Sequence, residues 1–236
     1  ESGAGTPVGR RVVLGMLAAG AAGIVFGAPM QKWFARLTAP LQAADGNGLL
    51  SLFPAGGGFR IYSVVGFLPK RSTAEYRLQV DGLVASPFSV SFAELTALPA
   101  TALTRDFQCV TGWRVADVAW RGVTLAALLD RAGVSAEAQA ITLHSFDGVY
   151  TESLTLDQAR RADVLVAWEM QGEPITAAHG GPVRMLVAPM YGYKSLKWLD
   201  RIEVVARVEP GYWERRGYDV DACVGRSNGR DDAPTT

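Results

Sequence analysis

The chain has 236 residues, of which 49% are hydrophobic and 19% charged, which is enough for one or two domains with a real core. Its 23 basic residues balance 23 acidic ones, which excludes a nucleic-acid-binding protein that relies on a broad basic surface. The hydrophobic share also excludes a disordered or collagen-like chain. Only two cysteines are present, so a disulfide scaffold and a four-cysteine metal site are excluded as well.

The first 36 residues predict a membrane segment. No charged residue lies between Arg11 and Lys32, and a helix of that length would be about 30 Å long, the thickness of a hydrocarbon core. Arg10 and Arg11 precede this run, as in a twin-arginine export signal. A cleaved signal and a buried core helix stay open as alternatives, although the run lacks a good small-x-small cleavage site and its four glycines disfavour a helix in water. We favour a retained transmembrane helix within residues 1–36, with the arginines cytoplasmic and the rest of the chain on the extracytoplasmic, periplasmic side.

Residues 37–58 are predicted to be a linker, because turn-forming residues cluster there, ending in Gly56-Gly57-Gly58. Residues 59–225 are predicted to form a domain of mixed α and β structure. Its strands are expected where apolar residues alternate or β-branched residues are dense. They are Tyr76–Val80, Ile141–His144, Val164–Trp168, Val183–Ala188 and Ile202–Val208.

Three short helices are predicted from their capping residues. Ser91 and Thr155 are each followed three residues later by Glu or Gln, the capping-box pattern, and Thr124 precedes a leucine-rich stretch that ends before a glycine. Strands mixed irregularly with short helices indicate an α+β fold and not a doubly wound parallel sheet. Residues 226–236 are polar and predicted to be a flexible, solvated tail.

The motifs that the sequence lacks weigh against the usual nucleotide-dependent and hydrolytic classes of enzyme. It has no glycine-rich nucleotide-binding loop, no G-x-S-x-G nucleophile elbow, no H-E-x-x-H zinc motif and no C-x-x-C-H haem motif. The only histidines are His144 and His179, so an all-histidine metal site cannot form and a Ser-His-Asp triad has no support.

Two segments are specific enough to indicate a family. The first runs from Asp106 to Trp113 (DFQCVTGW), with WRGV following at Trp120; the second contains HGGPVR from His179 and YGYKSLKWL from Tyr191. Together they resemble the molybdopterin-binding domain of the sulfite oxidase family, over about residues 59–218. Within that family they look most like the bacterial branch that includes the periplasmic methionine sulfoxide reductase catalytic subunit. The resemblance implies a sulfite-oxidase-type fold of mixed sheet and short helices.

The resemblance also implies roles for individual residues. Cys109 would be the protein ligand of molybdenum. His179 and Arg184 match the positions that hold the pterin, and Ser195 and Lys197 match those near its phosphate. The remaining matches are candidate cofactor contacts at Tyr62, Ser63, His144 and Ser145. Arg114, shortly after the cysteine, is a candidate catalytic residue that would contact substrate.

These residue types suit that chemistry on physical grounds. A cysteine thiolate is a soft ligand for a thiophilic transition metal, and an anionic cofactor requires fixed cations and backbone N–H groups. Simpler interpretations stay open: Cys109 could be a buried apolar residue or pair with Cys223 in a disulfide, and His144 could be an ordinary strand histidine.

The resemblance implies a molybdenum-dependent oxo-transfer reaction. Sulfite-oxidising relatives carry paired basic residues after the cysteine, whereas this stretch has one arginine, Arg114, and an aspartate, Asp117. We therefore expect a less charged substrate such as a small sulfoxide, with sulfite oxidation as the alternative. The chain has no haem motif, so we expect a membrane electron-transfer subunit, haem-bearing or quinone-linked, as partner. A non-catalytic accessory subunit that keeps the fold is a further alternative.

Overall fold

The computed structural model describes residues 58–235. Their strands form two five-stranded sheets, with three short α-helices. The strands are β1 (Arg77–Gly82), β2 (Phe88–Ser91), β3 (Thr101–Gln108), β4 (Arg114–Thr124), β5 (Ala140–Ser145), β6 (Thr151–Thr155), β7 (Val164–Met170), β8 (Glu173–Pro174), β9 (Arg184–Val187) and β10 (Leu199–Val205). The helices are α1 (Phe92–Thr96), α2 (Leu125–Ala132) and α3 (Leu156–Ala159). The α+β class is confirmed.

The first sheet has the order β2-β1-β10-β5-β6, and the second has the order β3-β4-β7-β8 with β9 paired to β7. All of these pairings are antiparallel except that between β1 and β10, which is parallel. The last strand of the domain therefore sits in the middle of the first sheet and completes it.

The core lies on both faces of the second sheet. Val164 and Val166 of β7 belong to a large apolar cluster that includes α2 and the first sheet, whereas Leu165 and Ala167 belong to a smaller cluster around Phe107. Because successive side chains of a strand point to opposite faces, β7 is buried on both sides and contains almost only apolar residues.

The predicted caps are confirmed. Ser91 and Thr155 each make both hydrogen bonds of a capping box, and the Thr124 hydroxyl accepts a hydrogen bond from the backbone N–H of Ala127. Gly133 ends α2 in the left-handed conformation. The predicted Ile202–Val208 strand is shifted, since β10 starts at Leu199 and ends at Val205. The hairpin of β3 and β4, which flanks Cys109, was not predicted.

The segment after residue 226, which the sequence predicts to be flexible, lies against the domain in the structure. The Tyr191 hydroxyl donates to Asp232 (2.9 Å), and the Thr235 hydroxyl donates to the carbonyl of Ala188 (2.9 Å). Ser227 is buried. These contacts join residues far apart in the chain, so the polar composition of the segment gave no sign of them.

The predicted signal or membrane anchor, residues 1–36, lies outside the described residues, as does nearly all of the predicted 37–58 linker. Within residues 58–235, no helix is both long and apolar enough to cross a bilayer.

Candidate functional site

Cys109 lies at the start of the turn that joins β3 to β4. Its N–H donates to the carbonyl of Trp113 (2.9 Å), and its own carbonyl accepts from the N–H of Gly112 (3.0 Å). Gly112 has a φ of 97°, which residues with a β-carbon rarely adopt, so the turn needs glycine here. The Cys109 Sγ lies 3.2 Å from the Thr111 hydroxyl. The hairpin thus presents one thiol on a hydrogen-bonded turn.

The HGGPVR and KSLKW motifs are held together by a close backbone approach. Gly180 has a φ of 95°, and its carbonyl accepts from the N–H of Trp198 (2.8 Å). A β-carbon on Gly180 would lie 2.5 Å from that of Lys197, so only glycine permits this contact. As a result His179 and Lys197 enter the wall of the same cavity.

Gly192 connects this second segment to the cysteine hairpin. Its N–H donates to the carbonyl of Gln108 (2.7 Å), and a β-carbon here would lie 2.6 Å from the Phe107 ring. The two segments that the sequence singled out are therefore parts of one site.

That site is a cavity of about 220 Å³. Most of its wall is apolar or aromatic, and its polar residues include most of those that the resemblance marked. The predicted site residues in the wall are Tyr62, Cys109, His179, Arg184, Ser195 and Lys197. The four that are not in the wall are Ser63, Arg114, His144 and Ser145.

Arg114 is turned away from the cavity, which differs from the expected contact with substrate. Its guanidinium is 3.3 Å from the Asp106 carboxylate and donates to the Gln108 side chain (2.7 Å) and to the carbonyl of Ala233. Asp106 is nearly buried, so this cation offsets a charge within the fold. The sequence could not reveal the contact with Ala233, because it joins Arg114 to a segment more than a hundred residues later.

His144, Ser145 and Ser63 also have partners elsewhere. His144 Nε2 lies 2.9 Å from Glu203 Oε2, on the side of β5 opposite the buried Leu143, as expected for an ordinary strand histidine. The Ser145 hydroxyl accepts from the N–H of Asp147, and the Ser63 hydroxyl donates to the carbonyl of Phe67 (2.6 Å). None of these side chains reaches the cavity.

Two cations of the cavity wall lack acidic partners. Arg184 is 3% exposed, and its guanidinium donates to the carbonyls of His179 (2.6 Å), Ser195 (2.9 Å) and Met185 (3.3 Å). The Lys197 ammonium donates to the carbonyl of Tyr62. Among residues 58–235, neither cation forms an ion pair with a carboxylate.

Burial and mutual repulsion shift the pKa values of these groups. Burial, and then the charge of Arg184, lower the pKa of Lys197 to about 7, against a weaker raising effect of the Asp147 carboxylate. Burial lowers the pKa of Arg184 to about 10. Burial, followed by the charges of Arg184 and Lys197, lowers the pKa of His179 to about 4, so that its imidazole is neutral at pH 7. This part of the wall holds more positive charge than the protein compensates.

The uncompensated charge fits an anionic, sulfur-ligated cofactor. Arg184 and Lys197 would hold an anion such as a phosphate, because charge-assisted hydrogen bonds are strongest where water is excluded. The Cys109 thiol would supply a soft metal ligand. Trp113 Nε1 and Asp147 Oδ2, on two further residues of the wall, are buried without a hydrogen-bond partner in the described part of the chain, which leaves one donor and one acceptor for a ligand.

Sequence reasoning missed several residues of the wall. Asp147 follows the β5 strand, and one of its oxygens accepts from the N–H groups of Val149 and Tyr150 at 2.9 and 2.8 Å. The Asp147-Gly148 pair is a turn signal that could have marked this loop. Tyr150 and Tyr193 also line the cavity, and nothing local in the sequence distinguishes them from core tyrosines. Both cysteines are free in the structure, so they do not form the disulfide considered above.

A thiol on a tight turn, facing a basic and glycine-rich wall, defines a molybdopterin site of the sulfite oxidase type. Residues 65–213 match the family of oxidoreductase molybdopterin binding domains, and this chain belongs to that family. It is therefore an oxidoreductase that binds molybdopterin.

Relatives support this assignment. The chain is 40% identical over 146 residues to the uncharacterised oxidoreductase YuiH of Bacillus subtilis, a match that covers 62% of this chain and 73% of that protein. It is 30% identical to the sulfite oxidase of Arabidopsis thaliana, over 61% of this chain and 46% of that one. It is also 29% identical to an Azospira oryzae protein provisionally named protein-methionine-sulfoxide reductase subunit YedZ1. That match covers 62% of this chain and 55% of the Azospira protein.

A solved structure supports the fold. The sulfane dehydrogenase SoxCD of Paracoccus pantotrophus superposes with a TM-score of 0.56 and 24% identity, over 61% of this chain and 41% of that one. The matches cover about half of the sulfite oxidase and YedZ1 sequences. The likeness therefore establishes the domain that the proteins share.

Proposed function

We propose that this chain is the catalytic unit of a molybdenum-dependent oxo-transfer enzyme that reduces a small sulfoxide. When bound, the molybdenum cofactor would supply two-electron oxo-transfer chemistry. Cys109 would hold the metal, Arg184 and Lys197 would offset the anionic part of the cofactor, and Ser195 and His179 line the same wall. The protein's task is to bind, to orient and to exclude water.

The proposal that the substrate is uncharged rests on the orientation of the Arg114 side chain. It is the one basic side chain in the stretch from Cys109 to Trp120, and it is occupied by Asp106 and the carbonyl of Ala233. The wall beside Cys109 instead presents Val110, Thr111 and Trp113. A dianion in that position would receive no counter-charge from the residues after Cys109, whereas a sulfoxide would not need one.

The experiment is a paired assay on metal-loaded protein. Elemental analysis first counts molybdenum and phosphorus atoms per chain, and we expect about one molybdenum per chain. Small sulfoxides are then tested with a reduced dye as electron donor, and sulfite with an oxidised dye as acceptor. Faster turnover of sulfite than of any sulfoxide would overturn the proposed direction.

Cys109→Ser separates catalysis from scaffold roles. We expect the variant to fold but to lose activity by at least about 100-fold, because even groups that only support a metal ligand are worth 10–100-fold. Cys223→Ser is the matched control, since Cys223 lies outside the cavity wall. Full activity in Cys109→Ser would show that catalysis does not depend on a metal held by Cys109, and would overturn this part of the proposal.

Sulfite oxidation remains a second candidate because of one observation. Arg60 is exposed and lines the cavity, so its guanidinium is able to meet an anion that enters. If sulfite is the substrate, Arg60→Gln should raise the KM for sulfite and leave sulfoxide kinetics unchanged.

We place the enzyme at the cell membrane, with its catalytic domain on the extracytoplasmic, periplasmic side and a haem-bearing or quinone-linked membrane subunit as electron partner. The uncharged run after Arg10-Arg11 supports the location, and the absence of a haem motif in the sequence supports the need for a partner. The Azospira relative is itself named a subunit. Full quinol-dependent activity of the purified chain alone would contradict the partner.

A further inference from the structure

A buried group of charged side chains lies directly behind the cavity wall. Lys194 and Glu152 are fully buried and Glu214 is 8% exposed. The Lys194 ammonium donates to Glu214 Oε1 and lies 3.1 Å from Glu152 Oε2. We call these three residues the acid–lysine cluster.

The cluster has more acid than base. One ammonium faces two carboxylates, and no other cation of residues 58–235 pairs with either of them. The remaining titratable groups that face Glu152 are the phenols of Tyr150 and Tyr193, which carry no positive charge. An unpaired buried charge costs several kcal/mol, so the cluster is stable only if one carboxyl group keeps a proton.

Glu152 is the carboxyl group that keeps it. Glu214 accepts from Lys194 at one oxygen and from the N–H of Gly211 at the other, which stabilises its anion. Glu152 Oε2 has no well-directed hydrogen bond from a described residue. Burial raises the pKa of Glu152 to about 8; Lys194 lowers it and Glu214 raises it further, each by less than burial does.

The hydrogen bonds of Tyr150 lead to the same conclusion. Its hydroxyl oxygen is 2.8 Å from the carbonyl of Tyr193, which can only accept, so the single phenolic hydrogen is directed there. The same oxygen lies 3.2 Å from Glu152 Oε1, and the hydrogen between these two atoms must then come from Glu152. A chain of hydrogen bonds thus runs from Glu152 to Tyr150, a residue of the cavity wall.

We propose that Glu152 stores a proton and passes it through the hydroxyl of Tyr150 to the oxygen that is removed from the substrate. This inference rests on the proposed sulfoxide reduction, which consumes two protons and two electrons and yields one sulfide and one water. Glu152 supplies one proton, solvent supplies the other, and the electron-donating partner supplies both electrons. For this step the Tyr150 hydroxyl turns from the carbonyl of Tyr193 to the substrate oxygen, gives up its proton and takes the one from Glu152. The Glu152 carboxylate then pairs with Lys194 until solvent reprotonates it.

The stored proton can be detected without turnover. Infrared spectra of the metal-loaded enzyme at pH 7 should show the carbonyl band of a buried carboxylic acid in the wild type and in Glu137→Gln, an exposed control. The band should be missing in Glu152→Gln. Because glutamine has the shape and charge of a protonated glutamic acid, this variant should unfold at the wild-type temperature. An unchanged band in Glu152→Gln would overturn the inference.

Turnover tests the transfer. We expect Glu152→Gln to lower kcat by about 100-fold with little change in KM, as is typical when a proton donor is lost. The wild-type kcat should fall above about pH 8, and the variant should lack this decline. Tyr150→Phe should keep the infrared band and still lower kcat, because it interrupts the chain. Equal kcat and equal pH profiles in wild type and Glu152→Gln would overturn the transfer.

Failure of the proposed function would look different. An enzyme that oxidises sulfite and reduces no sulfoxide would still show the infrared band in the wild type and lose it in Glu152→Gln. The same variants would then be compared in the sulfite assay above about pH 8, where Glu152 begins ionised and can accept a proton, and where an unchanged kcat would again overturn the transfer.

Discussion

Lys194 and Lys197 are three residues apart, and their electrostatic surroundings are opposite: Lys194 is fully buried, and Lys197 is half-buried in the cavity wall. Lys194 has two carboxyl groups within ion-pair distance, of which Glu152 keeps its proton, whereas Lys197 has a backbone carbonyl, repulsion from Arg184 and a weaker attraction to Asp147. Lys194 needs no ligand to explain it, because its charge is balanced inside the chain. The charge of Lys197 is unfavourable in the protein alone and becomes favourable when an anion binds. The balance of charge around a buried cation therefore distinguishes a structural group from a binding group.

The largest expected effect comes from removing the balanced lysine. Lys194→Met leaves Glu152 and Glu214 buried without a cation, so the free energy of unfolding should fall by about 3–5 kcal/mol. Denaturant unfolding of the cofactor-free protein measures this, with the exposed Lys70→Met as control. A loss no larger than that of the control would mean that Lys194 is not structural.

Removing Lys197, whose charge is not balanced, should reduce cofactor binding without reducing stability. Lys197→Met should leave the stability of the cofactor-free protein unchanged or raise it by about 1–4 kcal/mol, since replacing a poorly compensated buried charge is often stabilising. Molybdenum and phosphorus content after purification should fall by about 10–100-fold. Normal cofactor content in this variant would show that Lys197 does not hold the anion.

The pH dependence of stability tests the cavity wall itself, where burial and the charges of Arg184 and Lys197 act on His179. The pKa of His179 is about 4 in the folded protein and about 6.5 in the unfolded chain, so the unfolded chain binds more protons between these values. Its contribution to stability is therefore complete above about pH 6.5 and is lost as the pH falls toward 4, by up to roughly 3 kcal/mol. His179→Gln should remove this slope in the cofactor-free protein.

The comparison between wild type and His179→Gln isolates that slope. Glu152 has a raised pKa and therefore an opposite dependence on pH, but it is present in both proteins and cancels in the difference. Parallel stability curves from pH 7 to pH 4 would show that the imidazole is not held neutral by burial.

The smallest effect is expected at Arg114, a cation that is balanced outside the cavity. Arg114→Gln should cost about 1–3 kcal/mol, because it leaves Asp106 without its charged partner. The activity per bound molybdenum should stay close to that of the wild type. A selective loss of kcat/KM at full stability would return Arg114 to the catalytic role expected from the sequence.

The parts of the molecule that the sequence predicts well depend on contacts over a few residues. Ser91, Thr124 and Thr155 cap helices through atoms three positions away, so their patterns are readable without the fold. Cys109, Arg184 and Lys197 were found through their motifs, because those motifs include the glycines that allow the close approaches around them.

The parts that were missed depend on contacts between distant segments. The Arg114 guanidinium donates to the carbonyl of Ala233, and Glu152 meets Lys194 and Glu214 only after three segments have packed together. The β3–β4 hairpin was missed because much of it faces solvent and carries charged residues, so its apolar pattern is weak. Pairing across a sheet stabilises such a strand, and sequence periodicity does not report pairing.

The position of β10 determines when the site comes into existence. Gln79 of β1 pairs with Arg201, more than a hundred residues later, and the cavity wall draws on residues from Phe59 to Tyr218. Such long-range pairing forms late, since the chain must close a large loop first. On the ribosome, the first sheet stays incomplete until β10 has emerged, so a nascent chain has no cavity to offer. Cofactor insertion is therefore an event that follows synthesis of the whole domain.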